Sequence, residues 1–319
     1  MPKASWKRRK VTVVGAGAVG STFCYTLAQS GLAEEIALID QNSDLVRGQV
    51  LDLNHGQLFF PSVDIHVGDK SDYRDTQLIV LTAGSKQRPG ETRLDLLQRN
   101  ASIIESIASD VANAGSHGVL LVVSNPVDVL TYVALKTTGW PRGRVIGSGT
   151  VLDSARFRYL LSRHCQVDTQ NVHGYILGEH GDSEFAAWSM TRIGGMDIDS
   201  YCSICGFCDD CVGMRNQIEQ EVRESAYHII NYKGSTCFAI GLALVRITAA
   251  ILRGQKSVLS VSTLLQDEFG LSDVCLSVPC IVSENGVERI VAGHLQPEED
   301  ESLSRSAALL RQANKSLER

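Results

Sequence analysis

Three side chains suited to proton transfer and anion binding lie in two short segments. His180 sits in Gly178-Glu179-His180-Gly181-Asp182, a glycine-flanked loop after an apolar run. An imidazole serves as general acid and base near neutral pH once a partner fixes its tautomer. Asp153, in Val151-Leu152-Asp153-Ser154-Ala155-Arg156, is a candidate partner. Arg156 falls on the same helical face, three residues on. A carboxylate there stabilises the imidazolium, and a guanidinium grips a substrate carboxylate through two parallel hydrogen bonds. By residue type alone, the three could equally be a solvated loop histidine and a surface ion pair.

A second constellation points to a dinucleotide. Gly15-Ala16-Gly17-Ala18-Val19-Gly20 follows the apolar run Val11–Val14 and opens a helical pattern. Gly15 permits a tight turn, Gly17 lets backbone approach a pyrophosphate, and Gly20 allows close helix–strand packing. The phosphates then meet free N–H groups at the positive end of the helix. Asp40 closes the next run, twenty residues after Gly20, where a carboxylate accepts from ribose hydroxyls and repels a 2′-phosphate. A plain turn with a solvated aspartate is the bland alternative. Strand, turn, helix and acid together predict NAD rather than NADP.

These residues need a scaffold. β-rich runs at Val11–Val14, Glu35–Ile39, Asp64–Val67, Leu78–Thr82, Val119–Val123 and Val145–Ile146 alternate with helical patterns at Ala18–Gln29, Ser43–Gln57, Leu94–Asn113 and Val127–Thr137. Alternation predicts an α/β fold, a Rossmann doubly wound parallel sheet over residues 1–148. Residues 149–319 read as a C-terminal α+β substrate domain. It has a helix from Val151 to Arg163, a strand at Val172–Ile176, a loop at Gly178–Ser183, and helices at Met214–Asn231 and Thr236–Leu252. Strands at Val258–Leu264 and Val274–Val282, a turn at Asn285-Gly286 and an amphipathic helix after Glu298–Glu301 complete it.

Composition bounds the function. The 319 residues are 44% apolar and 21% charged, which argues against disorder. A net charge of −6 gives no basic field for nucleic acid. No uninterrupted apolar stretch suits a membrane span. Lys7–Lys10 before Val11–Gly20 superficially resembles a secretion signal, but the run is half Gly and Ala and reads as strand and turn. Nine cysteines, an odd number, read as reduced thiols of a cytoplasmic protein.

Taken together the motifs resemble a family. Gly15–Gly20, Asp40, Ala83-Gly84-Ser85-Lys86-Gln87-Arg88-Pro89-Gly90-Glu91-Thr92-Arg93-Leu94, Ser124-Asn125-Pro126, Val151–Arg156 and Gly178–Asp182 stand in the order and spacing of the lactate/malate dehydrogenases. The resemblance runs from about Lys10 to the C-terminal helix and is nearest to bacterial members acting on L-lactate. It implies reversible NADH-dependent reduction of pyruvate to L-lactate in a homotetramer. By resemblance His180 is the proton donor, Asp153 orients it, Arg156 binds the substrate carboxylate, and Arg93 polarises the carbonyl. Asn125 contacts the carbonyl region or the nicotinamide ribose, Thr236 and Ile240 line that side of the pocket, and Val19, Ala83, Gly84 and Ser124 join the cofactor site.

Gln87 bears on the substrate. By resemblance it faces the variable side chain, where malate dehydrogenases of this type carry Arg against a second carboxylate. Gln cannot neutralise that charge but suits a methyl, and Glu91 would repel a dianion. Arg88 is the competing cation, were the loop register to slip by one. Arg158 and His173 match positions that bind fructose 1,6-bisphosphate between subunits in activated bacterial members; otherwise they are a solvated helix residue and a satisfied strand histidine. Cys202, Cys205, Cys208 and Cys211 repeat every three residues, a spacing that can hold metal or oxidise. No Cys-Pro follows, and the family has a variable connection there, so no metal is expected.

Overall fold

The computed structural model describes residues 8–85, 90–207 and 210–317. The first half alternates strand and helix: β1 (Lys10–Val14), α1 (Ala18–Ser30), β2 (Glu35–Ile39), α2 (Ser43–His55), β3 (Asp64–Val67), β4 (Leu78–Leu81), α3 (Arg93–Asn113), β5 (Val119–Val122), α4 (Val127–Thr138) and β6 (Val145–Gly147). These strands pair in parallel in the order β3-β2-β1-β4-β5-β6. Leu78–Leu81 and Val119–Val122 are buried at every residue, as unbroken apolar strands must be when helices cover both faces. The strand order reverses between β1 and β4, which opens a crevice at their carboxyl ends.

The second half contains α5 (Val151–Cys165), β7 (Val172–His173), β8 (Ile176–Leu177), β9 (Phe185–Ala186), β10 (Arg192–Ile193), β11 (Met196–Asp197), α6 (Ile198–Cys205), α7 (Cys211–Lys233), α8 (Phe238–Leu252), β12 (Ser257–Gln266), β13 (Ser272–Ser283), β14 (Gly286–Ile290) and α9 (Pro297–Lys315). β12–β14 are antiparallel and extend the main sheet past β6 through the pair Gly147–Ser262, so it holds nine strands among the described residues. Gly286, at φ +81°, makes the expected turn between β13 and β14. α1 packs on α8 closely enough that a Cβ at Gly241 would lie 3.0 Å from Thr22. Phe23, Leu27 and Leu244 are buried in one apolar cluster there, each contributing about 1.5–3 kcal/mol.

Two local expectations are corrected. The single strand read at Val172–Ile176 is two: β7 pairs with β10 and β8 with β9. Gly174 lies between them, at a point where a Cβ would stand 2.5 Å from the Phe157 ring. The helix read from Thr236 begins at Phe238, which leaves Thr236 in the preceding loop.

Candidate active site

α5 carries Asp153 in its first turn, where the helix dipole favours a carboxylate, and Arg156 one turn on. The start of α5 is bonded to β8: Thr150 Oγ1 donates to the Ile176 carbonyl at 2.5 Å, and Ser154 Oγ accepts the Ile176 N–H at 2.9 Å. β8 runs into Gly178, which adopts φ +95° and exchanges two backbone bonds with Ser277 on β13. The chain therefore turns His180 back over α5. His180 Nδ1 lies 2.7 Å from Asp153 Oδ2, and Arg156 Nη1 donates to Asp153 Oδ1 at 2.6 Å. Asp153 is 1% exposed, so the surface-pair reading fails.

Burial acts on both partners. It favours a neutral imidazole, but the Asp153 carboxylate outweighs it, and the His180 pKa is pushed up to about 9. Burial would also raise Asp153, yet the His180 and Arg156 charges hold it below the usual carboxylate range. The ring thus carries its proton at neutral pH, with Nδ1 committed to Asp153 and Nε2 left for a substrate.

A cavity of about 600 Å³ is lined by His180, Asp153, Arg156, Arg93, Asn125 and Glu184, with Leu310 and Ala313 of α9 as an apolar wall. Arg93 is the first residue of α3, set there by a capping box: Thr92 Oγ1 accepts the Asp95 N–H while Asp95 accepts that of Thr92, both at 3.1 Å. Asn100, buried on α3, donates to the Asn125 carbonyl at 3.1 Å and accepts the Ser85 N–H at 2.9 Å. It therefore ties the segments after β4 and β5 together.

The glycine turn fits a dinucleotide. Gly15 stands at φ +114°, and a Cβ on Gly20 would fall 1.9 Å from the Gly15 carbonyl oxygen. Gly17 differs, since a Cβ there would meet no described atom within 4 Å. It opens α1, whose first N–H groups have no side-chain cap and face that space. Asp40 Oδ2 accepts the Ala16 N–H at 2.7 Å, which fixes its carboxylate beside the turn. Ser124 Oγ donates to the Ala83 carbonyl at 2.5 Å, bringing Ala83 and Gly84 next to Asn125. Val19 faces the core from α1.

The family model "lactate/malate dehydrogenase, NAD binding domain" matches residues 9–147, and that of the alpha/beta C-terminal domain matches residues 150–319. The chain belongs to the lactate/malate dehydrogenase family. Its relatives in this family include L-lactate dehydrogenases of Treponema denticola, 63% identical over 96% of this chain and 98% of the relative, and of Acetivibrio thermocellus, 50% identical over 97% and 98%. Among solved structures, a lactate dehydrogenase from a Medee basin deep-sea metagenome superposes with a TM-score of 0.95 at 42% identity, covering 98% of this chain and 100% of that one. The minor L-lactate dehydrogenase of Enterococcus mundtii gives 0.94 at 40% identity over 97% and 98%. As a lactate/malate dehydrogenase family member the protein is an NAD-dependent 2-hydroxy acid dehydrogenase, and the cofactor is NAD.

Of the described residues expected at this site, two are not in the lining of this cavity. Thr236 lies between α7 and α8 and Ile240 in the first turn of α8; neither is among the described residues lining the cavity. Gln87 and Arg88 lie outside the described residues. Arg158 turns to a separate cavity of about 420 Å³ shared with Tyr175 and Arg246, and His173 is exposed on β7. Cys202 and Cys205 are on α6 and Cys211 opens α7, while Cys208 lies outside the described residues.

Two buried acids, Glu184 and Asp128, carry no signal in spacing or motif. Burial and the neighbouring Asp153 drive Glu184 well above the ordinary carboxyl range. The glycine geometry carries its own test. Gly17→Ala is expected to leave thermal stability unchanged but weaken NADH binding roughly tenfold, read by NADH fluorescence titration.

Proposed function

We propose that the protein catalyses the reversible NADH-dependent reduction of pyruvate to L-lactate in the cytoplasm. The carrying observation is the His180–Asp153–Arg156 array, a protonated imidazole beside a fixed guanidinium in one cavity. The turn of Gly15, Gly17 and Gly20, with Asp40 at the adenosine ribose, would hold NADH, which would supply the hydride. His180 gives its Nε2 proton to the ketone oxygen and reclaims it when lactate is oxidised. Asp153 holds the imidazolium in orientation, Arg156 grips the carboxylate, and Arg93 stabilises charge growing on the carbonyl oxygen. Asn125 meets the carbonyl region or the nicotinamide ribose, with Thr236 and Ile240 on that side, and Gln87 faces the methyl.

In this reading residues 1–148 bind cofactor, residues 149–319 bind substrate, and the enzyme is a homotetramer. Fructose 1,6-bisphosphate activation through Arg158 and His173 is part of the same proposal. It is favoured by Arg158 Nε, which is buried with no hydrogen-bond partner among the described residues. The test follows NADH oxidation with pyruvate and with oxaloacetate, each with and without the bisphosphate. A kcat/KM for pyruvate about 10²-fold or more above that for oxaloacetate is expected, together with stimulation by the bisphosphate. Equal or better use of oxaloacetate would mean that Arg88, not Gln87, reaches the substrate. An unchanged pyruvate KM and assembly state on titration would remove the effector.

A further inference from the structure

Asp128 lies in the first turn of α4, three residues after Asn125, and is 2% exposed. Its Oδ2 accepts the main-chain N–H of His180 at 2.7 Å. Its Oδ1 is buried and meets no donor in good hydrogen-bond geometry among the described residues, although the Ser262 hydroxyl stands close enough to favour the charged form. The ionisable groups acting on it are His180 and Glu179 in the loop and Cys275 on β13; β12 faces it with the Ser262 hydroxyl. A buried carboxylate with one strong hydrogen bond is an expensive way to brace a loop, because a neutral amide accepts the same N–H without an ion to desolvate. What the carboxylate adds is charge, and the His180 imidazole gains from it, facing also Asp153 and Arg156 on α5, Glu184 in its own loop and, through Glu184, Arg223 on α7.

We propose that Asp128 is a positioning residue of the hydride-transfer reaction, fixing the His180 main chain to the start of α4 and lending the imidazole a second buried negative charge. One bond thereby ties the loop of His180 to the helix start that follows Asn125, so the two cavity-lining residues keep register. The inference rests on His180 being the proton donor. Burial pushes the Asp128 carboxyl up to about 6, with the Ser262 hydroxyl and the His180 N–H pulling the other way. Folding thus raises its pKa above the unfolded value of about 3.9, so ionisation opposes folding once the pH exceeds that range. Function and stability then pull in opposite directions at this residue, which a bracing role alone would not produce.

The experiment compares Asp128→Asn and Asp128→Ala with His180→Asn, measuring kcat/KM for pyruvate against pH and the thermal midpoint at about pH 8. Asp128→Asn keeps an acceptor for the His180 N–H but no charge. Its expected signature is an equal or higher thermal midpoint, a kcat/KM roughly tenfold lower, and a basic limb displaced to lower pH than in the wild type. Asp128→Ala also loses the bond and falls further, by roughly a hundredfold. An Asp128→Asn enzyme with the wild-type kcat/KM and basic limb overturns the inference, whatever the alanine variant does. If His180→Asn loses about 10²-fold or more in kcat in that case, only the role of Asp128 fails. If His180→Asn keeps the wild-type kcat and basic limb, the proton-donor reading fails with it.

Discussion

His180→Asn is expected to lower kcat for pyruvate reduction by about 10²- to 10⁴-fold, the range a positioned general acid supplies. NADH binding should survive, because the residues expected to hold its phosphates and adenosine ribose, Gly15–Gly20 and Asp40, follow β1 and β2, whereas His180 follows β8. The wild-type pH profile gives the second signature. His180 is held protonated up to about 9, so kcat/KM for pyruvate stays level below that pH and falls above it, while lactate oxidation climbs through the same range. The residual activity of His180→Asn should lack this limb. The same shift has a stability side: the folded pKa lies above the unfolded value of about 6.5, so its contribution is complete below about 6.5 and is lost as the pH rises through 9. Steady-state profiles in both directions and urea unfolding across that window check it.

Asp153→Asn should be nearly as severe and differently distributed. The native carboxylate spends one oxygen on His180 Nδ1 and the other on Arg156 Nη1. An amide can accept from only one of them and turns an NH₂ toward the other, which favours the wrong tautomer or displaces the guanidinium. A loss of roughly 10²- to 10⁴-fold in kcat/KM is expected, with the basic limb well below 9 and a raised pyruvate KM. Stability should fall by about 3–5 kcal/mol, since a buried cationic pair loses its counter-charge. The native carboxyl is held below its unfolded pKa. Its contribution is therefore present above about pH 3.9 and disappears as the pH falls through the folded value, so the variant and wild type should converge in acid. Equal stabilities at neutral pH would mean that Asp153 does not carry the charge balance of the site.

Much of this site was legible because chemistry and period coincide in sequence. The glycine spacing is dictated by backbone clearance: Gly20 faces the Gly15 carbonyl and Gly17 faces open space. Asp153 and Arg156 are three apart because a helix must present both to one cleft. Other features leave no such trace. Nothing periodic marks Asp128 or Glu184, since an acid's burial depends on elements distant in sequence. β7–β11 are two residues each, too short for an alternation to register. Asn100 sits on an ordinary helical face, and its role appears only when the turns after β4 and β5 meet over it.

The pairing of Gly147 with Ser262 has a consequence for motion. Many two-part enzymes close over their substrates by swinging one rigid body about a hinge. Here β6 and β12 are neighbours in one hydrogen-bonded sheet, and α1 is packed on α8 across the same seam. Opening that seam would break sheet bonds and expose core side chains at once. Any rearrangement during turnover is then confined to pieces outside the seam, while the shared sheet keeps the cleft at one width.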